Sequence, residues 1–113
     1  MNWDQYFISL LETIKQKSKD PSTKSSAIIV SPDNEILSTG YNGFPRGVLD
    51  LPKRYNIRKT KYLYVVHAEA NAICTAAKQG ISINGCTIYV NWMPCENCMK
   101  LIIQSGLKKV IFP

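Results

Sequence analysis

The chain contains one histidine, His67, and two positions after it stands Glu69. Downstream comes the run Pro94-Cys95-Glu96-Asn97-Cys98. A histidine and a C-x-x-C pair supply three donors of the kind zinc takes, and a fourth position left to water makes such a site catalytic rather than structural. Glu69 is then placed to carry protons, because water held by zinc is far more acidic than bulk water. Blander readings compete: His67 as a core histidine, Cys95 and Cys98 as a redox pair. A redox C-x-x-C needs no upstream H-x-E, however. A structural zinc wants a fourth protein ligand, and neither Cys74 in AICTAA nor Cys86 in CTIYV is well placed by pattern. Those two read as buried small hydrophobes, and Glu96 reads as an exposed acid in a first helical turn.

These residues need elements to hold them. Trp3, Tyr6, Phe7, Leu10, Leu11 and Ile14 recur at helical spacing, with Asn2 to cap the helix, Asp4 at its positive end and Asp20-Pro21 to stop the chain continuing. Ser25 to Ser31 and Glu35 to Thr39 read as a hairpin turning at Pro32-Asp33-Asn34. The hydroxyl-rich DPSTKSS before it serves equally as a loop or a phosphate contact. Three glycines in Gly40 to Gly47 mark tight turns or close backbone approach, and the basic, aromatic stretch from there to Tyr64 reads as a long irregular connection of functional kind. His67 to Lys78 reads as a helix, apolar at Ala70, Ile73, Cys74 and Ala77 and ended by Gly80. Cys86 to Val90 is a strand, Pro94 fits the first turn of a helix that stops at Gly106, and Lys109 to Phe112 is a last strand. Alternation of strands and helices predicts parallel crossovers, hence a three-layered α/β fold opened by an antiparallel hairpin. Both HAE and PCENC then emerge at the carboxyl ends of strands, where open α/β sheets bind ligands.

With 113 residues the chain suits one domain, residues 1–113, and shows no repeat or low-complexity tract. No apolar run is long enough to span a bilayer, and acids precede lysines in the first twenty residues, the reverse of a signal peptide. The expected setting is the cytoplasm of a cell or of an infected host. Net charge +6 favours an anionic partner, with Lys53, Arg54, Arg58, Lys59 and Lys61 concentrated in one run that would otherwise read as a solvated face.

H-x-E followed by P-C-x-x-C resembles the zinc-deaminase signature. More specifically, DPSTK, GYNGFPRGV, KYLYVVHAEANAI, GCTIYV, PCENCMKLIIQSG and KKVIFP together resemble the deoxycytidylate (dCMP) deaminases of the cytidine deaminase superfamily. GYNGFPRGV and the KY before VVHAE point to the nucleotide enzymes. The resemblance implies an α/β/α cytidine deaminase-like fold with a mixed sheet. It also implies zinc on His67, Cys95 and Cys98, proton transfer by Glu69, and hydrolysis of dCMP to dUMP and ammonia, the dUMP serving dTMP synthesis. It places Asn42 against the sugar, the Ala68 amide against the base carbonyl, the Pro94 carbonyl against the amino group, and the 5′-phosphate among Lys24, Ser25 and Lys61. Many relatives are homohexamers, activated by dCTP with Mg²⁺ and inhibited by dTTP; the resemblance puts that effector site at Asn42, Gly43 and Arg46.

Three features depart from the pattern. Lys24-Ser25-Ser26 replaces a common K-V-G, Asn91-Trp92-Met93 is idiosyncratic, and relatives usually continue past the last strand. A short carboxyl end predicts an exposed sheet edge covered by oligomerisation. Two other functions remain in view: deamination of a base in tRNA or single-stranded DNA, which basic charge with aromatics suits, and a non-catalytic zinc scaffold, for which Glu69 would have no use.

Overall fold

Every residue of β1 (Ser26–Val30) is buried, so helices must cover it on both sides. In the computed structural model, which describes residues 1–113, β1 lies between β2 (Ile36–Tyr41) and β3 (Thr87–Val90), with β4 (Lys109–Ile111) beyond β3. Alternation along the strands divides the core in two. Ala27, Ile29, Ile88 and Val90 meet Ala68, Ala72 and Ala76 of α4 (Ala68–Gln79) and Ile102 of α5 (Glu96–Gln104). Ile28, Val30 and Tyr89 meet Phe7 and Leu11 of α1 (Trp3–Ile14). Burying each large side chain in these clusters contributes about 1.5–3 kcal/mol. The result is the expected α/β/α sandwich.

The helix α1 starts as its sequence predicts. The Asn2 side chain accepts from the Gln5 amide at 2.8 Å, and Gln5 Oε1 accepts from the Asn2 amide at 2.9 Å, a reciprocal cap. Asp4 does more than suit the helix dipole, because Tyr89 Oη donates to its Oδ1 at 2.6 Å and pins the first turn to β3.

The crossovers differ from expectation in adjacency. β1 pairs antiparallel with both β2 and β3, and only β3 and β4 are parallel neighbours. β2 and β3 therefore point the same way while β1 separates them. Their carboxyl ends and the amino end of β1 meet at one end of the sheet.

Two further expectations need correction. The connection from Gly40 to Tyr64 is not structureless: β2 continues through Tyr41, and two short helices follow, α2 (Pro52–Asn56) and α3 (Arg58–Tyr64). Only Tyr55 is buried in them, so they show no helical apolar stripe in the sequence. Pro52 opens α2, and the Tyr55 ring stacks on Phe44 at 4.1 Å. On α4 the buried stripe is Ala68, Glu69, Ala72 and Ala76, while Cys74 and Ala77 are exposed. The cause lies in β2. A Cβ at Gly40 would stand 2.5 Å from both Ala68 O and Ala72 N, so α4 rests on the strand through its smallest residues. Ser38 Oγ adds a hydrogen bond to Ala72 O at 2.7 Å.

No helix is long and apolar enough to cross a membrane. Gly40→Ala should destabilise the protein by about 1–3 kcal/mol in urea unfolding, whereas Gly43→Ala, which meets nothing within 4 Å, should stay within about 0.5 kcal/mol of wild type.

Candidate active site

His67 is the N-cap residue of α4 and Cys95 that of α5, both with extended backbone and neither using its side chain as a cap. Pro94 accordingly sits just ahead of α5 rather than in its first turn, because Cys95 takes the boundary position. The two caps converge. His67 Nδ1 lies 3.5 Å from Cys95 Sγ and 3.3 Å from Cys98 Sγ, and the three donor atoms lie within 4.8 Å of one another. A tetrahedral zinc with its usual bond lengths spaces nitrogen and sulfur donors by about 3.6 Å, so the set fits that ion. Burial, the Glu69 carboxylate and neighbouring Cys95 all push the Cys98 thiol pKa up, whereas a divalent cation on the same atoms would favour the thiolates.

Glu69, 8% exposed, lines a cavity of about 240 Å³ together with His67, Ser25, Asn42 and Lys61. Five of the residues singled out from sequence thus share one cavity. Ala68 and Pro94 are buried at the two helix starts without lining it. Lys24 is half-buried and outside it. The glycine-rich loop is split: Asn42 faces the cavity, whereas Gly43 and Arg46 line a separate depression of about 180 Å³ with Asn71 and Thr75. Gly43 also exchanges backbone hydrogen bonds with Val66 at 3.1 and 2.7 Å, tying the loop to the residue before His67. Trp92 and Met93 line the cavity and are largely exposed; Glu96 is exposed as expected, 3.2 Å from Lys100.

Among the lining residues that were not read from the sequence as site residues, Asn91 and Asp20 are tied into the fold by their side chains. Asn91 Oδ1 accepts from the Ser26 amide at 2.5 Å, joining the end of β3 to the start of β1. Asp20 was read as a helix stop and as the start of DPSTKSS, a loop or phosphate contact, with no role of its own. It is fully buried, and its carboxylate pairs with Lys61 at 2.7 Å. Burial alone would raise its pKa, but Lys61 and the donors of Ser22 and Thr23 outweigh this and hold it below the ordinary value. The run D-P-S-T carried the signal, since an aspartate commonly accepts from amides two and three residues on.

The family model for the cytidine and deoxycytidylate deaminase zinc-binding region matches residues 1–113. The chain belongs to this family. It is 46% identical over 117 residues to the deoxycytidylate deaminase of Mus musculus and 45% over 117 residues to that of Homo sapiens, in each case across 99% of the chain. It spans 65% of the length of those curated relatives. The dCMP deaminase of cyanophage S-TIM5, solved in complex with dCMP and dUMP, superposes with TM-score 0.79 at 33% identity, covering 94% of this chain and 76% of that one. The α/β/α sandwich is therefore that of the deaminase family, and the His67, Cys95 and Cys98 cluster is a donor set that could hold the zinc for which the family's region is named.

Two outcomes are expected of this deaminase-family site. Elemental analysis should find about one zinc per chain, lost in Cys98→Ala and kept in Cys86→Ala, whose thiol is buried away from the cluster. A carboxylate with a lowered folded pKa contributes stability that is full above its unfolded value, about 3.9, and is lost as pH falls through the folded value. The advantage of wild type over Asp20→Asn in urea midpoint should therefore hold down to about pH 5 and shrink as pH falls below about 4.

Proposed function

We propose that this chain hydrolyses dCMP to dUMP and ammonia. The observation that carries this reading is the placement of Glu69: a nearly buried carboxylate lines a small-molecule cavity beside a three-donor zinc cluster. The likeness to an enzyme solved with dCMP and dUMP supports the substrate.

Zinc, held by His67, Cys95 and Cys98, supplies a Lewis acid that makes water acidic enough to lose a proton near neutral pH. Glu69 would accept that proton and deliver it to N3 of cytosine as the water oxygen bonds to C4, then move the proton of the new C4 hydroxyl to the amino group; the C4–N bond breaks, ammonia leaves and the C4 carbonyl of dUMP remains. In this reading the amide of Ala68, in the first turn of α4, donates to the base carbonyl with the positive end of the helix behind it. The carbonyl of Pro94 accepts from the amino group. Asn42 Nδ2 is committed to Thr23 O at 2.8 Å and Asp20 Oδ2 at 3.4 Å, and its Oδ1 accepts from the Ser25 amide at 2.9 Å. One lone pair of that oxygen stays free, so Asn42 meets the sugar as an acceptor from a hydroxyl. The 5′-phosphate lies among Lys61, Ser25 and Lys24, with Lys61 and Ser25 better supported than Lys24 because they line the cavity.

Regulation belongs to the same proposal: dCTP with Mg²⁺ as activator and dTTP as inhibitor at Asn42, Gly43 and Arg46, in a homo-oligomer of six. The depression beside Gly43, with Arg46 at its wall, supports it. The cytoplasm of a cell or infected host is the proposed setting.

Ultraviolet assay of the zinc-loaded protein should show turnover of dCMP in preference to CMP, dCTP and deoxycytidine. Glu69→Ala should lose about 10²–10⁴-fold in kcat while retaining zinc. No turnover by wild type, or full rate in Glu69→Ala, would refute the mechanism.

A further inference from the structure

Asp20 has 0% of its surface exposed, yet its partners form one wall of the cavity that Glu69 lines. Its Oδ1 accepts from the Ser22 amide at 2.9 Å, the Ser22 hydroxyl at 3.1 Å and the Thr23 amide at 3.1 Å. Its Oδ2 receives Lys61 Nζ at 2.7 Å and Asn42 Nδ2 at 3.4 Å. Three segments distant in sequence therefore end on one carboxylate: the loop after α1, the residue after β2, and α3. Two of the partners, Lys61 and Asn42, are the groups proposed above to receive a nucleotide's phosphate and sugar.

Lys61 is the one lysine or arginine that lines this cavity. It also lines an adjoining one with Arg58, the two cavities sharing Thr23, Lys61 and Tyr62. Of its three N–H donors, one goes to Asp20 and one to Ser22 Oγ at 3.3 Å, which leaves one for a ligand. A lysine is a point charge on a flexible stem. Paired with a buried carboxylate, its side chain only 14% exposed, it loses that freedom before any ligand arrives, and pre-organisation of this kind strengthens binding. The same carboxylate fixes which way round the Asn42 amide faces.

Resting on the function proposed above, we propose that Asp20 is a positioning residue that presets Lys61 and Asn42 for the anionic and hydroxyl groups of a nucleotide, governing affinity rather than the chemical step. Asp20→Asn is the informative variant. Its amide oxygen still serves Ser22 and Thr23, but its NH₂ confronts two donors, Lys61 and Asn42.

The zinc-loaded wild type, Asp20→Asn, Lys61→Met and the double variant would be assayed with dCMP and deoxycytidine, and their Kd for dUMP measured by calorimetry. KM for dCMP and Kd for dUMP should rise about 10-fold in each single variant, with kcat within about 3-fold of wild type and little further loss in the double. The loss in kcat/KM should be at least about 5-fold greater for dCMP than for deoxycytidine. An unmoved KM for dCMP, a fall in kcat alone, equal loss on both substrates, or losses that multiply in the double variant would overturn the proposal. Should Asp20→Asn not fold, Asp20→Ser, which keeps an oxygen beside the Ser22 and Thr23 amides and removes the charge facing Lys61, decides on the same KM criterion. A wild type inert on dCMP sinks the proposed function and this proposal with it; an active wild type with unmoved variants sinks this one alone.

Discussion

Between β2 and α4 the backbones themselves are in contact. At Gly40 no side chain intervenes, and a single added carbon would stand 2.5 Å from the carbonyl of Ala68 and the amide of Ala72. That contact sets how close α4 lies to the sheet. His67 immediately precedes the helix and Glu69 lies in its first turn, so the metal donor and the proton carrier inherit their positions from a strand-to-helix distance. Asn71 Nδ2, donating to Tyr41 O at 2.7 Å, fixes the same helix lengthwise. α5 packs on the same face through Ile102 and presents Cys95 and Cys98 at the height of His67.

The basic run on α2 and α3 divides between structure and solvent. Arg54 donates to Leu49 O at 3.0 Å and lies 4.8 Å from the Tyr64 ring centre, and Arg58 stands 5.9 Å from that of Tyr62. Lys61 is neutralised by Asp20. Lys53 and Lys59 remain exposed. The positive charge that suggested an anionic partner is thus partly spent on holding its own segment together, and what it offers a ligand is a few placed donors rather than a diffuse field.

What could be read from the sequence was whatever local spacing determines. H-x-E and P-C-x-x-C carry their chemistry in the offsets between residues, and the helix periods around them predict that both sets sit at helix starts. Cys74 was misjudged because apolar neighbours in sequence do not say which side of α4 faces the sheet; the close approach at Gly40 decides that, and its partners lie about thirty residues on. The helices α2 and α3 went unread because one buried tyrosine makes no stripe. Asp20 escaped because its importance lies in Lys61 and Asn42, reached only across the fold. Among residues expected to act together, Gly43 and Arg46 part from Asn42, lining the depression beside Asn71 and Thr75 instead.

The walls of the cavity differ in how firmly they are built. His67, Glu69 and Val90 belong to elements rooted in the larger core cluster. Lys61 and Tyr62 belong to a segment that buries one tyrosine and leaves Leu49, Ile57 and Leu63 largely in solvent. Elements with so little buried surface open at lower free energy than a core does. A disturbance of this segment is therefore felt on the recognition side, as affinity, while the reacting groups keep their spacing.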